Sequence, residues 1–205
     1  MLVRDALAAV LGGGVPAERA VERALKRGRG LTNAGRAAVA RRVYGVACLR
    51  RRLAWLVDAP MDGLAAHVPR LVAAYVLDVE GGGVAEALAA SGLDAPDGPL
   101  RALAAGPRAW PEDPLERLAV RRSLPDWLAR LWVAQRGLED ADALAAAVNV
   151  PGPLVIRANL LRTGVPALRE RLGAEGIASE PCRFAPTALR LTGRANVFGS
   201  ASWRA

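Results

Sequence analysis

The chain has 205 residues, of which 52% are hydrophobic, and a formal net charge of +8 at pH 7. This length allows one large domain, or a medium and a small one, with enough apolar residues for a core. The apolar runs are short and interrupted by Arg or Asp, which argues against a membrane-spanning helix. Arg4 and Asp5 interrupt the first apolar run, so a signal peptide is not expected either.

Cysteine and histidine are too sparse for disulfide or metal chemistry. Cys48 and Cys182 are far apart and neither belongs to a CxxC motif, while His67 is the single histidine. We therefore expect no disulfide framework, no metal site and a reducing, cytoplasmic location. In the middle of its predicted helix, Cys48 is expected to be a buried structural residue.

Arginine dominates the basic residues, since Lys26 is the only lysine. One explanation is selection for the bidentate phosphate contacts that arginine makes. The other is a genomic bias toward arginine codons. The net positive charge itself favours a polyanionic partner or an acidic membrane surface under both explanations.

Helical periodicity runs through most of the first 148 residues. Thr32 is the predicted N-cap of one long helix that runs to about Val57. Asp113 with Pro114 predicts another helix start, and Ser123 with Asp126 resembles a capping box that opens the next helix. The other predicted helices cover residues 2–11, a short segment after Pro16, a segment from Pro69, and residues 84–90, 97–110 and 138–148.

The pattern changes near Asn149. Pro151 and Pro153 impose an extended backbone on the residues before them. After these prolines the sequence predicts a strand at 154–161, a helix at 166–173 and two strands at 177–184 and 187–192. The order β-α-β-β indicates a small α+β layer.

A family resemblance covers essentially the whole chain. SLPDWLARLW, AAAVNVPGPLVIRANLLRT, LRERLGAEGI and ALRLTG follow one another between Ser123 and Gly193. This ordered set resembles the Sun/Fmu-type (RsmB-like) 16S ribosomal RNA cytosine-5 methyltransferases. The segment RRVYGVACLRRRLAWLV at Arg41–Val57 is similar to part of the NusB-like helical domain that opens these enzymes.

The resemblance implies a mainly α chain, in which a NusB-like helical bundle precedes a small α+β (β-α-β-β) subdomain. The expected domains are the RNA-binding bundle at 1–122, connecting helices at 123–150 and the subdomain at 151–205. In the family a methyltransferase domain follows, with an Ala-Pro-Gly-Gly-Lys loop for S-adenosylmethionine and two catalytic cysteines. None of these motifs occurs in this sequence. We therefore expect a fragment, a truncated form or the product of a decayed gene.

No catalytic, cofactor-binding or metal-binding residue is assigned. The pair Pro181-Cys182 is like the Pro-Cys pair of the family's nucleophile, but it lies in a predicted strand of the subdomain with no S-adenosylmethionine loop before it.

Two groups of residues are candidates for RNA contact, because arginine neutralises phosphates and Asn can hydrogen-bond base edges. The first group is the basic cluster Arg36, Arg41, Arg42, Arg50, Arg51 and Arg52. The second group is Arg157, Asn159 and Arg162, on and after the first strand. The alternatives are a solvated helical face with salt bridges for the first group, and a purely structural role for the second.

The function expected from the resemblance is that of the RNA-binding N-terminal region of an S-adenosylmethionine-dependent rRNA (cytosine-C5) methyltransferase, inert without its catalytic domain. Ribosomal RNA is then the partner, and no membrane partner is expected. The alternative is a stand-alone NusB-like RNA-binding regulator of transcription, and a third possibility is a protein-interaction module. The sequence does not specify an oligomeric state or a target cytosine.

Overall fold

The computed structural model describes residues 1–106, 108–193 and 196–204. The chain divides into two compact units, Met1–Asn149 and Val150–Ala205. The first unit is helical and the second contains a small sheet, which confirms the predicted mainly α fold with an α+β subdomain. The NusB-like character of the first unit and the functional assignment of the domains stay predictions. The helix predicted at 97–110 includes Pro107, which lies outside the described residues.

Nine α-helices and one short 3-10 turn are described in the first unit. The helices are α1 (Leu2–Gly13), α2 (Ala17–Arg27), α3 (Asn33–Cys48), α4 (Arg50–Leu56), α5 (Val68–Asp78), α6 (Val84–Ser91), α7 (Gly98–Ala105), α8 (Pro114–Arg122) and α9 (Asp126–Val148). The 3-10 turn, Leu64–His67, leads directly into α5. Two predicted caps are confirmed: Thr32 accepts a hydrogen bond from the Gly35 amide, and Asp113 accepts one from the Glu116 amide.

The core of the first unit is centred on α5. Every residue from Leu71 to Val76 is buried, so this helix is apolar on all sides and surrounded by neighbours. The predicted inner face of α3 and α4 packs in the same cluster through Val43, Val46 and Leu53, all fully buried. Burying each such side chain contributes about 1.5–3 kcal/mol, which makes this cluster the main source of stability in the unit.

The long helix predicted from Thr32 to about Val57 is wrong in one respect, because it is interrupted at Leu49. Leu49 has φ −96° and ψ 18°, so α3 ends at Cys48 and α4 starts in a new direction. The predicted capping box at Ser123 is also wrong. Ser123 has φ 56° and ends α8, and its hydroxyl accepts a hydrogen bond at 2.9 Å from the Arg52 amide in the first turn of α4. A residue 71 positions away therefore caps the second half of the interrupted helix.

Cys48 is exposed, so the expectation that it is a buried structural residue is wrong. Its position at the last residue of α3, beside the break at Leu49, brings its side chain to the surface.

Gly45 allows α3 and α5 to approach closely. A Cβ atom at this position would overlap the ring and hydroxyl of Tyr75, which is itself buried. The absence of a side chain at Gly45 is therefore a packing requirement, although glycine weakens a helix interior.

We expect Gly45→Ala to lower the free energy of unfolding by about 1–3 kcal/mol, because the added methyl group overpacks the α3–α5 contact. Urea unfolding followed by circular dichroism measures this change. Introduced into a Tyr75→Leu background, the same substitution should be neutral or stabilising, because the ring is gone. Equal destabilisation in both backgrounds would contradict this interpretation.

The helix α9 is bent at Gly137, which has φ 79° and ψ 168°. The two helices predicted in this region are therefore present as two halves of one helical segment. Ala129 from the first half and Ala141 and Ala145 from the second share a buried cluster with Leu118 of α8. The side chain of Asp142 joins the same two helices by accepting hydrogen bonds from Arg121 and Arg122 at 2.6–2.8 Å.

The hydrogen bonds from Arg122 and Arg121 outweigh partial burial and hold the pKa of Asp142 well below its ordinary value. A carboxylate whose folded pKa is depressed stabilises the protein above its unfolded pKa of about 3.9, and this contribution is lost as the pH falls through the folded pKa. We expect Asp142→Asn to cost about 1–2 kcal/mol at pH 7 and progressively less below pH 4.

Denaturant unfolding of both proteins at pH 7 and pH 3 measures this difference. Asp140→Asn is the matched control, since Asp140 is exposed on the same helix and forms no ion pair with the part of the chain that the structure describes. A cost at Asp142 that stayed constant with pH would contradict the ionic explanation.

The second unit has the element order β1 (Val155–Arg157), α10 (Val165–Ala174), β2 (Ser179–Cys182), β3 (Ala185–Leu191), a 3-10 turn (Val197–Gly199) and α11 (Ala201–Arg204). The sheet is antiparallel with the order β1-β3-β2, and Ile156 lies opposite Leu189. Leu168 and Leu172 of α10 pack on this sheet. The predicted β-α-β-β order is confirmed.

The strand β1 is shorter than the predicted 154–161, because Asn159 starts a turn. Its side-chain oxygen accepts a hydrogen bond from the Leu161 amide, and its carbonyl oxygen accepts bonds from the amides of Arg162 and Thr163. This use of an Asn side chain competes with strand pairing and ends the ladder.

Candidate nucleic-acid interface

The basic cluster of the first unit is largely engaged with carboxylates. Glu80, just after α5, accepts hydrogen bonds from Arg41 at 2.9 Å and from Arg42 at 2.8 and 3.0 Å. Arg42 also reaches Glu86 at 3.1 Å. Burial alone would raise the pKa of Glu80, but the hydrogen bonds from Arg42 and Arg41 outweigh it and lower the pKa below its ordinary value. These pairs join α3 to the end of α5 and the start of α6.

Arg51 and Arg52 have structural contacts of the same kind. Arg52 forms a bidentate pair with Asp78 at 2.7 and 3.0 Å, and its guanidinium carbon lies 5.3 Å from the centre of the Trp110 ring. Arg51 donates to the Leu124 carbonyl at 2.7 Å and pairs with Asp126 at the same distance. The two arginines therefore tie α4 to α5 and to the α8–α9 connection.

The remaining predicted residues of this cluster differ in exposure. Arg36 is half-buried and donates to the Leu25 carbonyl at 3.3 Å. Arg50 is exposed, and no hydrogen bond or ion pair joins its side chain to the described residues. Arg41 keeps 52% of its side-chain surface exposed despite its ion pair. Arg50 and Arg41 are thus the most accessible of the six, and RNA contact by the cluster stays a prediction.

The second predicted group comes together in a cleft of about 600 Å³ in the second unit. Arg157, Asn159 and Arg162 line this cleft, which is also lined by Thr163 and by the apolar side chains of β1, α10 and the last 3-10 turn. The helix α10 adds Arg171, and α11 adds Trp203. Residues that are close in sequence and residues from two later helices therefore share one concave surface.

Arg157 and Arg171 give this cleft positive charge. Arg157 and Arg171 are exposed, and neither forms a direct ion pair with a carboxylate of the described chain, although Arg171 interacts electrostatically with Glu175. No Asp or Glu is among the described residues that line the cleft. The contrast with the ion-paired arginines of the first unit is clear, because here the guanidinium groups of Arg157 and Arg171 are available to an external anion.

Sequence reasoning missed Arg171 and Trp203. Arg171 reaches the cleft because its neighbour Leu172 is buried against the sheet, which turns this side of α10 toward the cleft. The spacing of Leu168 and Leu172 could have indicated that orientation. Trp203 lies in a helix of only four residues, which is too short for a hydrophobic period to predict its position.

Glu175, just after α10, fixes the short helix that carries Trp203. Its carboxylate accepts hydrogen bonds from the amides of Ala201 at 2.8 Å and Ser202 at 3.0 Å, and from the Ser202 hydroxyl. The hydrogen bond from Ser202 lowers the pKa of Glu175 below its ordinary value. A carboxylate at a helix N-terminus satisfies amides that have no partner within the helix.

We expect Glu175→Ala to speed amide hydrogen exchange at Ala201 and Ser202, because both amides lose their acceptor. NMR-detected exchange at neutral pH measures this change. Glu170→Ala, an exposed carboxylate on α10 with no ion pair to the described residues, is the control. In the wild type the same two amides should lose protection as the pH falls through the lowered pKa of Glu175. Unchanged exchange in Glu175→Ala would contradict this cap.

Two further observations concern other kinds of site. Within the described ranges, no group of three or more His, Cys, Asp or Glu side chains is placed to hold a metal ion. None of the helices described is long and apolar enough to cross a membrane.

Comparison with known proteins finds a family match within the second half of the chain. Residues 124–198 match the family model described as "Methyltr_RsmF/B-like, ferredoxin-like domain". The probable ribosomal RNA small subunit methyltransferase B of Bacillus subtilis (strain 168) is 32% identical over 80 residues, which are 39% of this chain and 18% of that protein. The chain thus matches about a fifth of the length of this curated relative.

The matched region contains most of the cleft. Arg157, Asn159, Arg162 and Arg171 lie within 124–198, whereas Trp203 lies beyond it. The observed order β1-α10-β2-β3 agrees with the first four elements of the β-α-β-β-α-β ferredoxin-like arrangement. The NusB-like part of the resemblance is not addressed by these matches. The match of residues 124–198 to the RsmF/B-like ferredoxin-like domain, with the similarity to the Bacillus subtilis protein, confirms the resemblance to the N-terminal region of the Sun/Fmu-type enzymes.

Proposed function

We propose that this chain is the RNA-binding N-terminal region of an S-adenosylmethionine-dependent rRNA (cytosine-C5) methyltransferase. The observation that carries the proposal is the cleft of the second unit. There, three residues predicted for RNA contact meet Arg171 on a surface with no carboxylate among the described lining residues. The match to the ferredoxin-like domain and the similarity to a probable small-subunit rRNA methyltransferase support it.

The chemistry of the cleft suits the RNA backbone. Guanidinium groups bind phosphate through two parallel hydrogen bonds and release the counterions condensed on the polyanion. Asn159 supplies neutral hydrogen-bonding groups that can reach sugar or base atoms. The arginines Arg50 and Arg41 of the first unit are secondary candidates for phosphate contact, because they remain exposed. We propose small-subunit ribosomal RNA as the partner. This partner implies a cytoplasmic location.

The cleft itself does not fit S-adenosylmethionine. The sulfonium and ammonium groups of the methyl donor outweigh its single carboxylate, so the molecule is a net cation that the arginines of the cleft would repel. The Ala-Pro-Gly-Gly-Lys loop of the family does not occur in this sequence. We therefore assign methyl transfer to the proposed parent enzyme and give no residue of this chain a part in it.

The second unit also bears on the alternative functions. A stand-alone NusB-like regulator of transcription has no need of a domain after Asn149, whereas residues 124–198 match a methyltransferase-associated domain. A pure protein-interaction module would have no need of a cleft whose accessible charge is cationic. Both alternatives are therefore less well supported than RNA binding.

A salt titration tests the proposal. We expect the chain to bind fragments of small-subunit rRNA, with log K falling linearly with log[salt] by about 0.7–0.9 for each phosphate neutralised. The double variant Arg157→Gln/Arg171→Gln should bind more weakly and show a shallower salt slope, by about one for each phosphate that is no longer neutralised.

Arg130→Gln/Arg136→Gln is the matched control, because it removes the same charge from exposed positions on α9. If the control lost as much affinity as the cleft variant, the binding would depend on net charge and the cleft would have no special part. If the wild-type chain bound no rRNA fragment at low salt, the proposed function would be wrong.

A further inference from the structure

We propose that the cleft of the second unit binds one unpaired nucleotide of the RNA, with its base stacked on Trp203 and its phosphates held by Arg157 and Arg171. This inference rests on the proposed function and adds to it the structural class of RNA that the chain prefers.

The dimensions of the cleft fit a nucleotide. Its volume of about 600 Å³ lies within the range of 300–1,000 Å³ that is typical of small-molecule sites. Its buried lining residues Ile156, Leu172 and Val197 are apolar, whereas Arg157 and Arg171 in the same lining are exposed. A paired base inside a duplex could not enter such a concave site, whereas an unstacked base can.

Trp203 has the features of a stacking platform. It is 54% exposed, and it meets Phe198 edge to face, with ring centroids 4.9 Å apart and an angle of 84° between the rings. In an edge-to-face pair at least one face of the indole stays uncovered by its partner. A half-exposed aromatic ring that lines a basic cleft matches the combination of stacking and positive charge by which proteins bind single-stranded nucleic acids.

The backbone holds this tryptophan in place before any ligand binds. The Trp203 amide donates to the buried hydroxyl of Ser200 at 3.1 Å, and that hydroxyl donates to the Val197 carbonyl at 2.6 Å. Glu175 caps the same helix from α10. Such preorganisation lowers the entropy cost of ordering the site on binding.

Asn159 gives the cleft a hydrogen-bond donor of defined orientation. Its side-chain oxygen accepts the Leu161 amide at 3.2 Å, which leaves the two amide hydrogens on the other side of the group as donors. These hydrogens match the carbonyl or ring-nitrogen acceptors of a base edge, or a phosphate oxygen.

The experiment compares a single-stranded oligoribonucleotide with a hairpin duplex of the same length and composition, using the full chain. We expect the wild type to prefer the single strand, and Trp203→Ala to weaken single-strand binding by roughly 5- to 100-fold, the usual effect of losing one base–aromatic stack. Trp203→Phe should retain most of the affinity, because phenylalanine also stacks. Trp127→Ala is the control, since Trp127 is 65% exposed and lies on α9.

Tryptophan fluorescence gives a second readout that does not depend on Trp203→Ala folding well. RNA should quench the wild type, and Trp203→Phe should lose that part of the quenching while still binding the single strand.

The inference is overturned if Trp203→Ala leaves single-strand affinity unchanged, if it weakens both RNAs equally, or if the wild type shows no preference for the single strand. In each of these cases, binding that still depends on Arg157 and Arg171 leaves the proposed function intact. If the wild type bound neither RNA, that result would contradict both the proposed function and this inference.

Discussion

The ion pairs at the end of α5 are the constraint that fixes how the neighbouring helices are arranged on the apolar core. The chain has a large excess of arginine, and every guanidinium group that is half-buried needs an acceptor. Asp78 and Glu80 supply those acceptors to Arg52, Arg42 and Arg41, directly at the end of the most buried helix. The carboxylates thus fix α3 and α4 against the core. They also neutralise much of the positive charge of the arginines in these two helices.

The positions of the carboxylates decide which arginines are held in ion pairs and which can bind a partner. In the first unit most of the predicted RNA-contact arginines are neutralised, which leaves chiefly Arg50 and part of Arg41 for a partner. In the second unit neither Arg157 nor Arg171 forms a direct ion pair with a described carboxylate, although Arg171 interacts electrostatically with Glu175. A net charge counted from composition does not make this distinction, because it depends on which carboxylates the fold brings near which arginines.

Sequence patterns predicted those features of the fold that depend on interactions between residues close in the chain. The caps at Thr32 and Asp113 depend on residues three positions away, and the β-α-β-β order depends on short periodic segments. The break at Leu49 was missed because the Arg52 amide is satisfied by the distant hydroxyl of Ser123. That same contact removed Ser123 from the cap predicted for it. The candidate site divides in the same way: Arg157 and Asn159 lie on one local motif, whereas Arg171 and Trp203 join them only through tertiary packing.

The packing of α9 determines where the chain can be cut into two stable pieces. The family match begins at Leu124, just before α9, while the compact units separate after Asn149. Ala141 and Ala145 of α9 are fully buried in a cluster with Leu118 of α8. A piece cut at the family boundary would therefore carry an unshielded apolar stripe and a tendency to aggregate, whereas a cut at the unit boundary would leave α9 on its partner. The family match and the first compact unit therefore overlap by the whole of α9.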